Sequence, residues 1–276
     1  MHLDNIDIFK FTPRLSYDYC TAASLRKLMR CPVTDIQLGA TLELFPGSGG
    51  WSTALSKVGF TPEVEDWALD NTKDMSDVKY VNGRLIPMIS SKKYAAVHIA
   101  TECTTHSTMT GKLYRTMEEP DGTQVALADA KIGPIVLNAN KQVEHSVKAF
   151  IASDDSGALT SLENPKGSRL FATTAMKPLM ARVLAGELYL IETSYCMWGR
   201  KFRGTRWIIS NYPELQALAK QCKHSCHEGI LAGHSIPTKQ ANPYPPRMCA
   251  AWAAIIQSVV LARKGSSSAV GCRFRV

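Results

Sequence analysis

Short apolar runs alternate along this chain with longer stretches whose apolar positions return every three or four residues. Residues 40–45 (ATLELF) form the first run, and further β-rich runs fall at 62–67, 95–100, 158–163, 188–194 and 207–210. Helical spacing occupies most of the intervals, beginning with WSTALSKVG after the first run and most clearly over 126–152 and 174–185. Alternation of strand and helix predicts an α/β domain, its sheet mostly parallel with helices on both faces. Residues 17–30 carry apolar positions at mixed helical spacing until CPVTD breaks the pattern, so 1–40 is expected as a helical lead-in to a domain spanning 41–260. The closing stretch KGSSSAVGCRFRV is low in complexity, and 261–276 is expected to be a basic flexible tail.

The most informative local feature is PGSGG, set between the first predicted strand and the helix after it. Glycines there let a ligand approach backbone where a helix N-terminus points outward. The turn lacks the Lys-Ser/Thr of a phosphate loop and the G-x-G-x-x-G spacing of dinucleotide binders, so a nucleoside fits it better than a triphosphate or NAD. Tight strand-to-helix turns that bind nothing also use such residues. In EVEDW, Glu65 stands where an acid would accept ribose hydroxyls from the end of the second strand, with Asp66 its close competitor.

Composition narrows the class. The chain has 276 residues, 45% of them hydrophobic, enough for one sizeable core. A net charge of +8 favours an anionic partner such as nucleic acid over none. No apolar run approaches the ~18 residues of a membrane span, and acidic residues stand where a secretory signal would be basic, so the protein is expected inside the cell, with no membrane partner. Its eight cysteines lack the density of a disulfide-stapled fold and read as thiols or metal ligands.

Five segments, taken in order, resemble one family. LELFPGSGGWSTAL looks like motif I of the cytosine-5 DNA methyltransferases, which runs D-L-F-A-G-x-G-G. AAVHIATECTTHS resembles the D-V-I-H-x-S-P-P-C-T-x-x-S segment of small phage-type members, LENPKGSRLF their E-N-P-x-S-x-L segment, and YCMWGRKFRGTRWIISN their arginine-bearing motif VIII. ANPYPPRMCAAWA resembles the G-N-A-x-P-P segment that closes the cofactor pocket. The resemblance covers residues 42–252. It implies a Rossmann-like class I fold dependent on S-adenosylmethionine and methyl transfer to carbon 5 of cytosine in DNA, rather than RNA, by a monomer. It puts the nucleophile at Cys103, the acid at Glu163 beside Asn164, and the basic group at Arg206 with Arg203 adjacent. The cofactor would meet Phe45, Pro46, Gly47, Ser48, Gly49, Gly50 and Trp51, with Glu65, Asn82 and Asn242 completing its pocket.

That chemistry needs these residue types together. Carbon 5 of cytosine is a poor nucleophile until a thiolate adds to carbon 6, the acid supports ring nitrogen 3, and the guanidinium steadies the exocyclic oxygen. The base must leave its stack to be reached. Plainer readings stand beside each assignment: a small buried apolar side chain for Cys103, a turn cap for Glu163 and Asn164, a surface ion pair for Arg206.

Three departures from the family pattern bear on activity. Glu102 replaces a proline, and a carboxylate beside the thiol disfavours thiolate. Asn82 replaces the acid that receives the adenine amino group, although an amide oxygen still accepts. Only a short stretch, 212–241, is left for target recognition, so sequence-specific duplex reading is not expected. A weakened relative that binds S-adenosylmethionine or nucleic acid as scaffold or regulator, or a methyltransferase acting on RNA, are the alternatives. The short stretch contains CKHSCHEGILAGH, whose Cys222, Cys226 and His234 are the expected ligands of a structural zinc ion, with an ordinary solvated loop as the other reading. His106 is a further candidate proton carrier.

Overall fold

The computed structural model describes residues 37–107, 114–227 and 243–271, without the side chains of 266–271. Most of the expected lead-in, together with Asn242 and His234, lies outside these residues.

Six strands form one sheet: β1 (Ala40–Leu44), β2 (Thr61–Glu65), β3 (Tyr94–Ile99), β4 (Leu159–Pro165), β5 (Tyr189–Ser194) and β6 (Thr205–Ser210), in the order β2-β1-β3-β4-β6-β5. Four neighbours in a row, β2, β1, β3 and β4, are parallel, and β6 runs antiparallel to both β4 and β5. Each predicted run is a strand, shifted by a residue or two at its ends.

Alternation along the strands supplies two cores. Leu42, Leu44, Val97, Ile99, Leu162, Trp207 and Ile209 face one layer. That layer holds α2 (Val78–Tyr80), which passes through a π-turn at Val81–Leu85 into α3 (Ile86–Ser90), with α5 (Ile132–Asp155) and α6 (Lys177–Leu184). The opposite face packs Ala96, Leu159, Ile191 and Ile208 against α1 (Gly50–Ser56), the 3-10 turn Pro213–Leu218 and α7 (Pro246–Gly271). Helices on both faces of a mostly parallel sheet make this a Rossmann-like α/β fold.

Three elements differ from the sequence expectation. The helical interval 126–152 is split into α4 (Gln124–Ala128) and α5, because the Asp129 carboxylate caps the second helix by accepting from the Lys131 and Ile132 amides. α7 continues past residue 260, where a flexible tail was expected to begin; Ile255, Ile256, Val259 and Val260 are the last of its residues packed in the core. The first part of the expected insert belongs to the core, since Leu215 and Leu218 are fully buried.

Candidate active site

The chain leaves β1 for β2 on one side and returns to the other side of β1 for β3. Ligands of open α/β sheets bind at such a switch point, outside the carboxyl ends of the strands. A cavity of about 800 Å³ opens there. Because β6 is reversed, its first residues lie at the same edge as the last residues of β4: Pro165 is paired with Arg206. One strand reversal thus brings a cation from β6 to a carboxylate from β4.

One wall is backbone. Phe45, Pro46, Gly47 and Ser48 line it, with Phe45 at φ 58° and Gly47 at φ 54°. Positive φ at a bulky residue is strained by about 1–3 kcal/mol. The Phe45 amide offsets part of this by donating to the Glu65 carbonyl at 3.1 Å. A Cβ added at Gly47 would meet nothing within 4 Å, so the space beside this turn is open to a ligand. Asp66, Trp67, Ala68 and Met75 also line the cavity. Trp67 is 60% exposed and offers a flat apolar face at the cavity.

The other wall is side chains. Cys103 follows β3 in a single turn closed by the Ser107 amide donating to the Cys103 carbonyl at 2.8 Å. The amide of Asn164 holds this loop by donating to the Thr101 carbonyl at 2.7 Å. Glu163 is 6% exposed and lines the cavity with Arg206 and Tyr195. Arg206 Nε lies 3.1 Å from Glu163 Oε1 and 3.0 Å from the Tyr195 hydroxyl, and its N–H is directed at the hydroxyl. Among the described residues Oε1 therefore has a nearby charge but no hydrogen bond, and Asn164 Oδ1 likewise has no partner among them. Both atoms are buried, in residues that line the cavity.

Glu163 Oε2 accepts from the Tyr244 hydroxyl at 2.7 Å, and Tyr244 is 2.9 Å from His98 Nε2, whose Nδ1 is 3.0 Å from Ser161 Oγ. Burial drives the His98 pKa down to about 3, so it is neutral and links Ser161 to Tyr244 without adding a charge beside Glu163. Burial raises Glu163 above the usual carboxylate range, while Arg206 and the Tyr244 hydrogen bond pull it back. Burial is also the largest influence raising the Cys103 thiol; Arg206 opposes it, and Glu163 and Glu102 add to it. Glu102 is exposed and accepts from the Thr104 hydroxyl at 2.7 Å.

Of the expected residues, the cavity brings together Phe45, Pro46, Gly47, Ser48, Cys103, Glu163 and Arg206. Gly49 and Gly50 start α1 behind the turn, and Trp51 is buried against His98 and Trp252, at ring distances of 5.3 and 6.5 Å. Glu65 ends β2 facing inward, accepting from the Tyr80 hydroxyl at 2.7 Å and pairing with Lys73 at 3.2 Å; its neighbour Asp66 faces the cavity instead. Asn82 is exposed inside the π-turn, away from the lining, because the chain has already capped α2 at Asp77. His106 is buried outside the cavity, its pKa lowered to about 3 by burial and then by Arg115. Sequence reasoning missed Tyr244, His98, Tyr195 and Trp67. An aromatic next to PPR and another beginning YCMWG were the only signals for the two tyrosines.

Cys222 stands near Cys196, His224 and His227, whereas Cys226 is exposed and outside that group.

No protein-family model and no curated protein matches the chain. Among solved structures it is similar to the Entamoeba histolytica methyltransferase EhMeth, at 13% identity and TM-score 0.37, covering 62% of this chain and 52% of that one. It is also similar to the S. pombe Dnmt2 methyltransferase, at 11% identity and TM-score 0.39, covering 67% and 55%. A prophage-encoded E. coli protein described as a DNA modification methyltransferase gives 13%, 0.34, 62% and 45%. The chain thus spans about half the length of these proteins. Among the described residues no helix is long and apolar enough to cross a membrane.

Proposed function

We propose that this chain transfers a methyl group from S-adenosylmethionine to carbon 5 of cytosine in DNA through a covalent bond to Cys103. One observation carries the reading: a thiol, a buried carboxyl with an unpartnered oxygen and a guanidinium converge on a cavity whose facing wall is an open backbone turn.

S-adenosylmethionine, when bound, supplies an electrophilic methyl group. The residues present fit it: the open space at Gly47 admits a ligand against backbone, Asp66 accepts from hydroxyls, and Trp67 offers a face to a purine. Cys103 thiolate gives its electron pair to carbon 6 of cytosine. Glu163, holding a proton on Oε1, donates to ring nitrogen 3, so that the displaced pair is available at carbon 5 for the methyl group. Arg206 steadies the exocyclic oxygen, and Tyr244 keeps the Glu163 carboxyl in place through Oε2. Loss of the carbon 5 proton to water then expels the Cys103 sulfur with its electron pair, and return of the ring nitrogen 3 proton to Glu163 restores the ring and the acid.

Both raised groups set the pH response. The thiolate fraction of Cys103 grows as pH rises, while Glu163 keeps its proton beyond the ordinary carboxylate range before losing it. The rate is expected to climb with pH and then fall.

A binding role without turnover is favoured by one observation, the thiol raised by burial and by two carboxylates. Trapping separates the readings. Single-stranded DNA carrying 5-fluorocytosine, with S-adenosylmethionine, is expected to give an adduct mapped by mass spectrometry to Cys103 and absent in Cys103→Ser. Adduct with the equivalent RNA alone would replace DNA by RNA as substrate. Calorimetric cofactor binding with no adduct to either polymer would sink the enzyme reading.

A further inference from the structure

A second set of functional groups sits away from the cavity. Cys196 lies in the 3-10 turn Tyr195–Trp198 after β5 and is 9% exposed. The chain returns to this edge at Lys220, which forms a parallel bridge with Thr193, its amide donating to the Glu192 carbonyl at 3.2 Å while the Ser194 amide donates to its carbonyl at 2.8 Å. Lys220 Nζ lies 3.6 Å from the centre of the Trp198 ring. From there residues 221–227 run without helix or strand and present Cys222, His224 and His227 to Cys196.

The ligand atoms of these four residues all lie within 4.8 Å of one another. Cys222 Sγ is 3.2 Å from His227 Nε2 and 3.6 Å from His224 Nδ1, and the two imidazole rings stand 5.6 Å apart, nearly perpendicular. Metal–sulfur bonds of ~2.3 Å and metal–nitrogen bonds of ~2.0 Å put the corners of a tetrahedral zinc site roughly 3.3–3.8 Å apart. The 3.6 Å distance falls in this range and the 3.2 Å one lies about 0.1 Å below it, while the others, none above 4.8 Å, need a contraction of at most about 1.5 Å in an irregular loop. Two thiolates also neutralise a divalent cation, so the filled site carries no net charge beside Lys220. A loop that supplies three of the four ligand groups and has no aliphatic side chain of its own has little else to fix it.

We propose that Cys196, Cys222, His224 and His227 bind one structural zinc ion, which fastens the loop after Lys220 to the end of β5. This set differs from the one expected from spacing, since it takes Cys196 from a distant turn and excludes Cys226. Lining up four closed protein ligands leaves no open coordination position, so the ion holds structure and does not activate water.

Full-length protein purified under reducing conditions is expected to carry one equivalent of zinc by mass spectrometry of the metal. The stripped protein should take up one equivalent of cobalt(II) with the visible bands of a tetrahedral thiolate complex. Cys222→Ser and the exposed His224→Gln should lose that equivalent, and Cys226→Ser should keep it. Circular dichroism of His224→Gln identifies loss of the site without loss of the fold. Chelation should lower the melting temperature of the wild type and leave that of His224→Gln unmoved. Zinc well below one equivalent in both the purified and the reloaded protein, or retention by Cys222→Ser, would overturn the assignment. So would loss of the metal in Cys226→Ser with retention in Cys196→Ser.

Discussion

The two walls of the cavity are built from different material. Residues 45–48 present backbone in a strained turn, whereas Cys103, Glu163 and Arg206 present side chains from three separate strand ends, held by Asn164, Tyr195 and Tyr244. A backbone wall depends on one or two φ angles and tolerates changes elsewhere. A side-chain wall depends on a chain of partners, and a change at any link reaches the reacting group. The side-chain wall is therefore expected to be the more fragile in activity and the backbone wall in ligand affinity.

The largest expected effect is at Glu163. Glu163→Gln removes the proton donor and lowers methyl transfer by about 10³-fold, with cofactor affinity by calorimetry unchanged. Tyr244→Phe, which leaves Oε2 without its donor, lowers the rate less and moves the alkaline limb of the pH profile. A loss of rate with no movement of that limb would assign Tyr244 to packing alone. Gly47→Val forces a β-branched residue to φ 54° and is expected to weaken S-adenosylmethionine by about 100-fold. Equal affinity in that variant would remove the turn from the binding site.

Glu43 tests the ground beneath the backbone wall. It is fully buried in β1, accepting from the Ser52 amide at 3.1 Å and the Ser52 hydroxyl at 2.5 Å, and burial raises its pKa from 4.5 to about 7. A folded-state pKa above the unfolded one means that the protonated form suits the fold. Stability conferred at low pH is lost as pH rises from 4.5 toward about 7, a change of about 3 kcal/mol. Glu43→Gln should flatten this part of the stability curve in urea melts, and an unchanged slope would refute the buried-acid account. The smallest effect separates two neighbours: Asp66→Asn should weaken the cofactor by about tenfold, while Glu65→Gln, which disturbs Tyr80 and Lys73, should lower stability more than affinity. The reverse pattern would return the ligand role to Glu65.

The glycine turn was legible because a local sequence, LFPGSGG between a strand and a helix, encodes a local conformation. The same locality explains where the reading slipped. Periodicity cannot say whether the last residue of a strand or the first beyond it faces the cavity, and here Asp66 lines it while Glu65 turns to Tyr80. Asn82 matched a position in a pattern, yet it rides on a helical turn whose start is set by Asp77.

By itself the sequence determined the α/β alternation, the strand that ends in a glycine turn, and the identity of the thiol, carboxyl and guanidinium. Only the tertiary structure decided that these three share a cavity, because their meeting depends on one reversed strand beside β4 and on hydrogen bonds spanning many residues, such as Tyr244 to Glu163. The same holds for Cys196 and Cys222, which come together where the chain returns to the edge of β5. Apolar periodicity is a property of neighbours along the chain, while charge pairing and ligand geometry are properties of neighbours in space.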